Sequence, residues 1–529
     1  MEATNLITPP TWFDKDLSKL LPKPIDPSYN TIDINKYARI ERYFFPKNNV
    51  SFDISRDTVY PNSDTQALED NFHKYTENYT KKLALCTTEQ ERQKLQTQFK
   101  TQTTKYKKKT SHLNDNIKAL SVGLPVTTEQ HRLLQSKMKE CLKVYNYCVQ
   151  LANNKENPIN INILLSREKL RDLVLPVLYP NGSIECYDTL DDEIRSFCSN
   201  VKSCLTNLKQ GHIKHFEMKP KEFIGIQSIF IGQKAITSKS IYLKWLGKLP
   251  TWDKLYPFIL KKIIKLECDC RLVYDSLKSR YTLKIPYYTR KISVSNRNQV
   301  VALDPGEKVF MTYYSPQECG RIGHDIRVPI LKEETQIRKL QRILSKGKNK
   351  EGKRLRHKNA IKKRIQTVYR RIQNKVKELH NQSANYLTDH FEEIWIPPFE
   401  TKRMVRNERQ EAKVLCKENK KKCKSLKEKV QVRRRLKLNG RVKFVLLQLS
   451  HYKFRQHLEK KCLEKGCRMK IVDESYTSMC CGGCGRKGDV YENRVKKCVC
   501  GTRMDRDLNG SRNIMLKTIA ENKIKANRE

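Results

Sequence analysis

Between Asp473 and Ile514 the chain reads DESYTSMCCGGCGRKGDVYENRVKKCVCGTRMDRDLNGSRNI, a run that sets thiols at metal-ligand spacing just ahead of a pair of carboxylates. Cys481 and Cys484 stand at C-x-x-C spacing among Gly482, Gly483 and Gly485, small residues that let a tight knuckle form. Cys498 and Cys500 make a second, tighter knuckle with Gly501 directly after it. Four thiolates from two knuckles are the usual tetrahedral set for structural Zn2+. Free or core thiols are the alternative, and this stretch is too polar and glycine-rich to bury itself. Cys480 reads as a bystander or spare ligand. Asp505 and Asp507 follow, acids among many basic residues, as expected if a divalent cation is their partner. An acidic cap on a helix N-terminus accounts for them equally well. Asn509, Gly510 and Asn513 then lead into a helix expected at Ile514–Ile519.

Chemistry of this kind needs strands to carry further acids. VVALDPGEKVFMTYYSP, from residue 300, reads as a buried strand, then Asp304, a Pro-Gly turn and a second strand. An acid at the carboxyl end of an apolar strand is how a ribonuclease-H-like sheet offers a first metal ligand, although Asp-Pro-Gly is also a common hairpin turn. FEEIWIPPFETKRM gives another apolar strand and a second acid, Glu400. Between these lie two basic helices within 331–390, with apolar residues from Ile337 to Leu379 at helical spacing and a turn near Ser345–Gly352. Residues 401–440 are a basic insertion with little apolar content. Residues 442–465 read as one helix stopped by Gly466, and CRMKIV is a strand entering the cysteine run.

Ahead of residue 296 the signals are coarser. Residues 1–62 show no sustained period and are expected to be irregular; 63–110 read as solvated helix. IKALSVGL reads as a strand, and Thr127 with Gln130 forms a capping box before a helix carrying Leu134, Met138, Leu142 and Tyr145 on one face. Helical signals continue to about Gly211. HFEMKP, IQSIFI, SIYLKWLG, CDCRLVY and YTLKIPYY then read as short strands of a small barrel or sandwich. Phe216, Phe223, Trp245 and Tyr281 suit core packing better than base stacking.

The whole chain has 529 residues, with 106 Lys+Arg against 57 Asp+Glu for a formal net charge of +49. Such an excess repels itself unless a polyanion neutralises it, so nucleic acid is the expected partner. No apolar run approaches the ~20 residues of a spanning helix, and the N-terminal residues do not read as a secretory signal. The 18 cysteines are scattered apart from the knuckles, as in a reducing compartment.

With Asp304, Glu400, the knuckles and DRDLNGSRNI in place, the chain resembles the RuvC-like nuclease of TnpB proteins and type V CRISPR effectors. It is most similar to Fanzor, the eukaryotic and large-virus branch. The residues that carry the likeness are ALDPG (302–306), PPFETKRM (397–404), SHYKFRQ (450–456) and DESYTS (473–478). The resemblance implies an α/β multidomain protein: an N-terminal extension (1–115), a wedge-like β-barrel (116–128 and 212–295), an inserted helical recognition lobe (129–211), and a RuvC-like, RNase-H-fold nuclease (296–475 and 504–529) interrupted by a zinc-binding insert (476–503). It implies Asp304, Glu400 and Asp507 as catalytic acids and Mg2+ ligands, and Cys481, Cys484, Cys498 and Cys500 as Zn2+ ligands. Two Mg2+ ions about 3.5–4 Å apart activate water and stabilise the leaving oxygen in such sites. It further implies a monomeric ribonucleoprotein of guide (omega) RNA acting on double-stranded DNA, transposon-associated and without a membrane. The expected location is nuclear, through Lys105–Lys109 or the 420–435 basic region, or cytoplasmic for a cytoplasmic virus. A transposase or resolvase of the same fold that reads DNA without RNA is the alternative.

Overall fold

A computed structural model describes residues 9–21, 23, 30–32, 39–45, 63–86, 88–110, 116–154, 156, 158–182, 184–263, 266–289, 294, 297–346, 358–405, 439–488, 491–492 and 494–526. The chain divides into two compact units, one of Met1–Leu95 with Lys291–Glu529 and the other of Gln96–Arg290.

The first unit is built on a seven-stranded sheet. Its order across is Asn30–Ile32, Ile40–Phe44, Glu318–Ile322, Met311–Tyr314, Asn298–Pro305, Phe391–Ile396 and Arg468–Ile471. The strands up to Asn298–Pro305 pair antiparallel. Phe391–Ile396 runs parallel to Asn298–Pro305, and Arg468–Ile471 runs parallel to Phe391–Ile396, so all three end at one edge. Central strands covered on both faces read as continuous apolar runs, which is why VVAL carries no alternation. The two faces still separate cleanly. Val301 and Leu303 pack with Ile337, Ile372 and Leu379 from the basic helices, whereas Val300 and Ala302 pack with Leu508, Ile514 and Met515 from the last helix, Arg506–Ala526. A period of two therefore assigns Asp304 to the face of the last helix.

The basic helices are Arg327–Lys346 and Lys358–His390. The single helix expected at 442–465 is two, Gly440–Leu449 and His451–Lys465, broken at Ser450 with φ 50°. Gly466 ends the second in the left-handed conformation. The helix expected at Ile514–Ile519 starts a full two turns earlier, at Arg506. Residues 406–438, most of the expected basic insertion, lie outside the described residues, as does most of the turn after Ser345.

The N-terminal residues differ most from expectation. Lys15–Leu20 is a helix, and Ile40–Phe44 joins the seven-stranded sheet by pairing with Glu318–Ile322. The approach is close: a Cβ at Gly320 would meet the Glu41 carbonyl oxygen at 2.0 Å. Arg42 crosses the pairing to buried Glu318, donating from Nε at 3.0 Å, and Tyr386 donates to the same carboxylate at 3.0 Å.

The second unit holds an antiparallel sheet in the order Asn116–Leu124, Arg280–Thr289, Cys270–Asp275, Ile226–Ile231. Among the described residues its edge strands do not pair with each other, so the expected barrel is an open four-stranded sheet. Its helices include Thr128–Asn153, Arg167–Leu178 and Tyr187–Lys209. The capping box forms, with Gln130 N donating to Thr127 Oγ1 at 3.2 Å and Thr127 N to Gln130 Oε1 at 3.0 Å. SIYLKWLG is not a strand: Tyr242 takes a left-handed backbone and Leu243–Leu246 turn as a short helix. Nor is HFEMKP. Tyr281 is buried in the core, and Phe216, Phe223 and Trp245 pack against it.

Candidate functional site

The two cysteine knuckles close on each other. The sulfurs of Cys481, Cys484, Cys498 and Cys500 all lie within 4.8 Å of one another. Cys481 and Cys500 are 3.7 Å apart, Cys484 and Cys498 3.5 Å. Tetrahedral Zn2+ with ~2.3 Å bonds to sulfur requires sulfurs about 3.8 Å apart, so the cluster fits this ion. Gly483 N donates to Cys481 Sγ at 3.4 Å, and Gly485 N to the Cys481 carbonyl at 2.8 Å. The short C-x-C spacing works because its residues occupy a hairpin turn. Val495–Lys497 and Arg503–Asp505 pair antiparallel, and Gly501, with φ 81°, donates back to the Cys498 carbonyl at 3.0 Å. Cys480 is buried outside the cluster, its carbonyl accepting from Asn509 and Asn513. We expect about one zinc per chain on purification, and Cys484→Ser to lose it together with the hairpin, because metal binding supplies folding energy that this segment has no core to replace. Elemental analysis finding no zinc in folded protein would end this assignment.

The return strand of that hairpin runs directly into the last helix. Asp505 caps it, its Oδ1 accepting from Asp507 N at 2.9 Å and Leu508 N at 3.2 Å, while its other oxygen pairs with Arg321 at 2.7 Å. Capping thus accounts for Asp505 and leaves Asp507 for chemistry. The following residues bolt the helix to the first knuckle. Asn509 Oδ1 accepts from Gly482 N at 2.8 Å, and Asn513 donates to the Thr477 carbonyl at 2.8 Å. The buried Arg512 guanidinium donates to the carbonyls of Gly482, Ser18 and Leu21, drawing in the N-terminal helix. Gly510 is where the helix meets the sheet: a Cβ there would lie 2.5 Å from Asp304 Oδ2.

Asp304 is thus half-buried against the start of the last helix. Burial pushes its carboxyl well above the ordinary range; the charges of Asp507 and Glu474 push the same way, Arg506 opposes them and Asp505 adds to them. Burial also raises Asp507, against Arg494, which ion-pairs with it from the cysteine hairpin. Glu474 is raised by burial and then by Asp473. Its place follows from the parallel strands: Arg468–Ile471 ends at the same edge as Asn298–Pro305, with Val472 bonded to the Ile396 carbonyl at 3.2 Å. Half-buried carboxylates repelling one another are donors suited to a hard divalent cation.

Of the three acids expected from sequence, Asp304 and Asp507 come together. Glu400 is not among the leading charges acting on Asp304 or Asp507. Glu400 lines a cavity with Phe399, Leu446, Leu447, Tyr452 and Arg455. Glu474 is among the charges that act on Asp304. Its strand, RMKI, is not apolar and Asp473 stands before Glu474, so the pattern that marked Asp304 did not mark Glu474.

A family model described as "Cas12f1-like, TNB domain" matches residues 451–514. The chain is 27% identical over 427 residues to TnpB-like protein L770 of Acanthamoeba polyphaga mimivirus, covering 77% of this chain and 75% of that protein. TnpB-like protein R854 of the same virus is 27% identical over 427 residues, covering 77% and 74%. The chain of a solved Cas12f1–sgRNA–target DNA complex aligns with 76% of this chain and 99% of its own length, at 11% identity and a TM-score of 0.34, too low a superposition to bear on fold or activity. The sequence matches support kinship with the TnpB and Cas12 proteins.

Proposed function

We propose that this protein is an RNA-guided DNA endonuclease of the Fanzor and TnpB kind, hydrolysing phosphodiesters in DNA chosen by pairing with a guide RNA. The observation that carries the reading is the placement of Asp304 at the carboxyl end of a central strand, against the helix that presents Asp507. Support comes from the strand order: an antiparallel meander of three followed by two strands parallel to its first is the RNase-H arrangement, with N-terminal strands added at one edge. Asp304 and Asp507 would hold Mg2+, and the charge acting on Asp304 favours Glu474 over Glu400 as the third carboxylate. Bound there, Mg2+ would supply an activated water and a charge on the leaving oxygen. The chain's part is to hold the carboxylates rigid, through Asp505 as cap and Arg512, Asn509 and Asn513 as ties. Arg494, which pairs with Asp507, would give way to the cation.

A formal charge of +49 exceeds what one short DNA site uses, and RNA backbone would neutralise it. No helix among the described residues is long and apolar enough to cross a membrane. A nuclear location and a monomeric ribonucleoprotein remain part of the proposal.

The test supplies RNA-free protein with DNA, Mg2+ and RNAs of defined guide sequence. Cutting should need the RNA and move to new sites when its guide changes. Asp507→Ala and Glu474→Ala should lose cutting by on the order of a thousandfold while retaining nucleic-acid binding, and Glu400→Ala should cut. Site-specific cutting without RNA, unmoved by the guide, would favour the transposase or resolvase alternative. A dead Glu400→Ala beside an active Glu474→Ala would return the third acid to Glu400.

A further inference from the structure

Tyr476 is a large aromatic that the core does not use. It is 58% exposed, two residues beyond Glu474, and its backbone lies at φ 66°. That region disfavours any side chain, so an ordinary loop would place glycine or asparagine there. The Lys487 ammonium sits over the ring, 5.1 Å from its centroid. An exposed ring with a cation beside it offers the two things single-stranded nucleic acid needs: a face for a base and a charge for the adjoining phosphate.

The loop that carries the pair is held on every side. Cys480 and Lys487 form an antiparallel bridge, and Gly488 N donates to the Met479 carbonyl at 3.2 Å. The buried Lys496 ammonium spans the base of the loop, donating to the carbonyls of Met479 at 2.6 Å and Gly488 at 2.9 Å. Thr477 is tied to the last helix through Asn513. Ring and ammonium are therefore fixed relative to both the zinc knuckle and the carboxylates, so little freedom is left to lose on binding.

Resting on the nuclease reading above, we infer that Tyr476 and Lys487 form a shelf for single-stranded DNA entering the acid site: Tyr476 stacks an unpaired base near the scissile phosphate and Lys487 holds a neighbouring phosphate. The shelf positions the strand; it takes no part in the bond chemistry. Because a ring face accepts any base, the contact is indifferent to sequence and leaves target choice to other parts of the molecule.

The test uses the guide-loaded full chain in EDTA, so nothing is cut, and an oligothymidylate carrying a single 2-aminopurine. Wild type should quench the 2-aminopurine on binding, since stacking on a ring does so. Tyr476→Phe should quench equally. Tyr476→Gly, which relieves the backbone and retains zinc, should lose the quenching and bind roughly tenfold more weakly. Lys487→Ala should keep the quenching while the slope of log affinity against log salt falls by about one. Tyr476→Gly quenching like wild type would overturn the shelf while leaving the nuclease reading intact. So would quenching confined to the matching oligouridylate, which would assign the ring to RNA. Failure of guide-loaded wild type to bind the DNA at all would instead count against the nuclease reading itself.

Discussion

Asp304→Asn should abolish DNA cutting, by on the order of a thousandfold or more, and yet unfold at a higher temperature than wild type when both are held in EDTA. The two effects have one cause. The half-buried carboxyl of Asp304 faces the charges of Asp507, Glu474 and Asp505, and its affinity for protons lies well above that of the unfolded chain. A folded-state pKa raised in this way favours folding fully only at pH below the unfolded value of about 4. That contribution is lost as the pH climbs through the folded value. Asparagine carries no charge at any pH, so the stability gap between variant and wild type should open from about pH 4 upward. Mg2+ should narrow the gap, because it binds the folded wild type and has lost a ligand in the variant. Thermal melts across pH, with and without Mg2+, read both trends. A variant no more stable than wild type at neutral pH, or a gap indifferent to pH, would show that Asp304 is not held against its neighbours.

The second large effect lies far from the acids. Arg42→Ala should destabilise the first unit by about 3–5 kcal/mol, because it leaves Glu318 buried without its cation. Glu318 is fully buried and Arg42 nearly so, so solvent screens the pair little. Adding Glu318→Leu to Arg42→Ala should recover much of the loss, since an apolar pair leaves no charge stranded. Urea unfolding gives the energies, and hydrogen exchange should show Ile40–Phe44 detaching first in the single variant. Equal loss in the single and double variants would mean that packing of the strand, not the ion pair, holds it.

What the sequence disclosed depended on how local the cause was. Thr127 and Gln130 cap a helix through contacts three residues apart, and the cysteine knuckles fold on their own glycines; both were legible as written. Asp304 was legible because VVAL is apolar enough to be a central strand and the acid ends it. Ile40–Phe44 was not, because a five-residue strand has no period of its own and joins the main sheet only when Glu318–Ile322 is in place. The break at Ser450 carries no glycine or proline to announce it. Glu400 and Glu474 each lie a few residues past a strand, and sequence alone does not rank them. What separates them is the path of the chain: Glu474 follows Val472, which packs beside the last helix, while Glu400 lines a cavity with Leu446 and Tyr452.

The ties of Arg512 to Ser18 and Leu21 have a consequence for how the molecule comes into being. Arg512 and Ser18 are 494 residues apart in sequence, so almost the whole chain must be made before the contact can form. The cysteine hairpin, Asp507 and the helix that packs on Asp304 are likewise made long after the N-terminal helix. At synthesis rates of about 5–20 residues per second the N-terminal helix waits on the order of a minute for its partner. Until Arg506–Ala526 has been made, the site therefore lacks Asp507, the helix that packs on Asp304 and the ties that hold both.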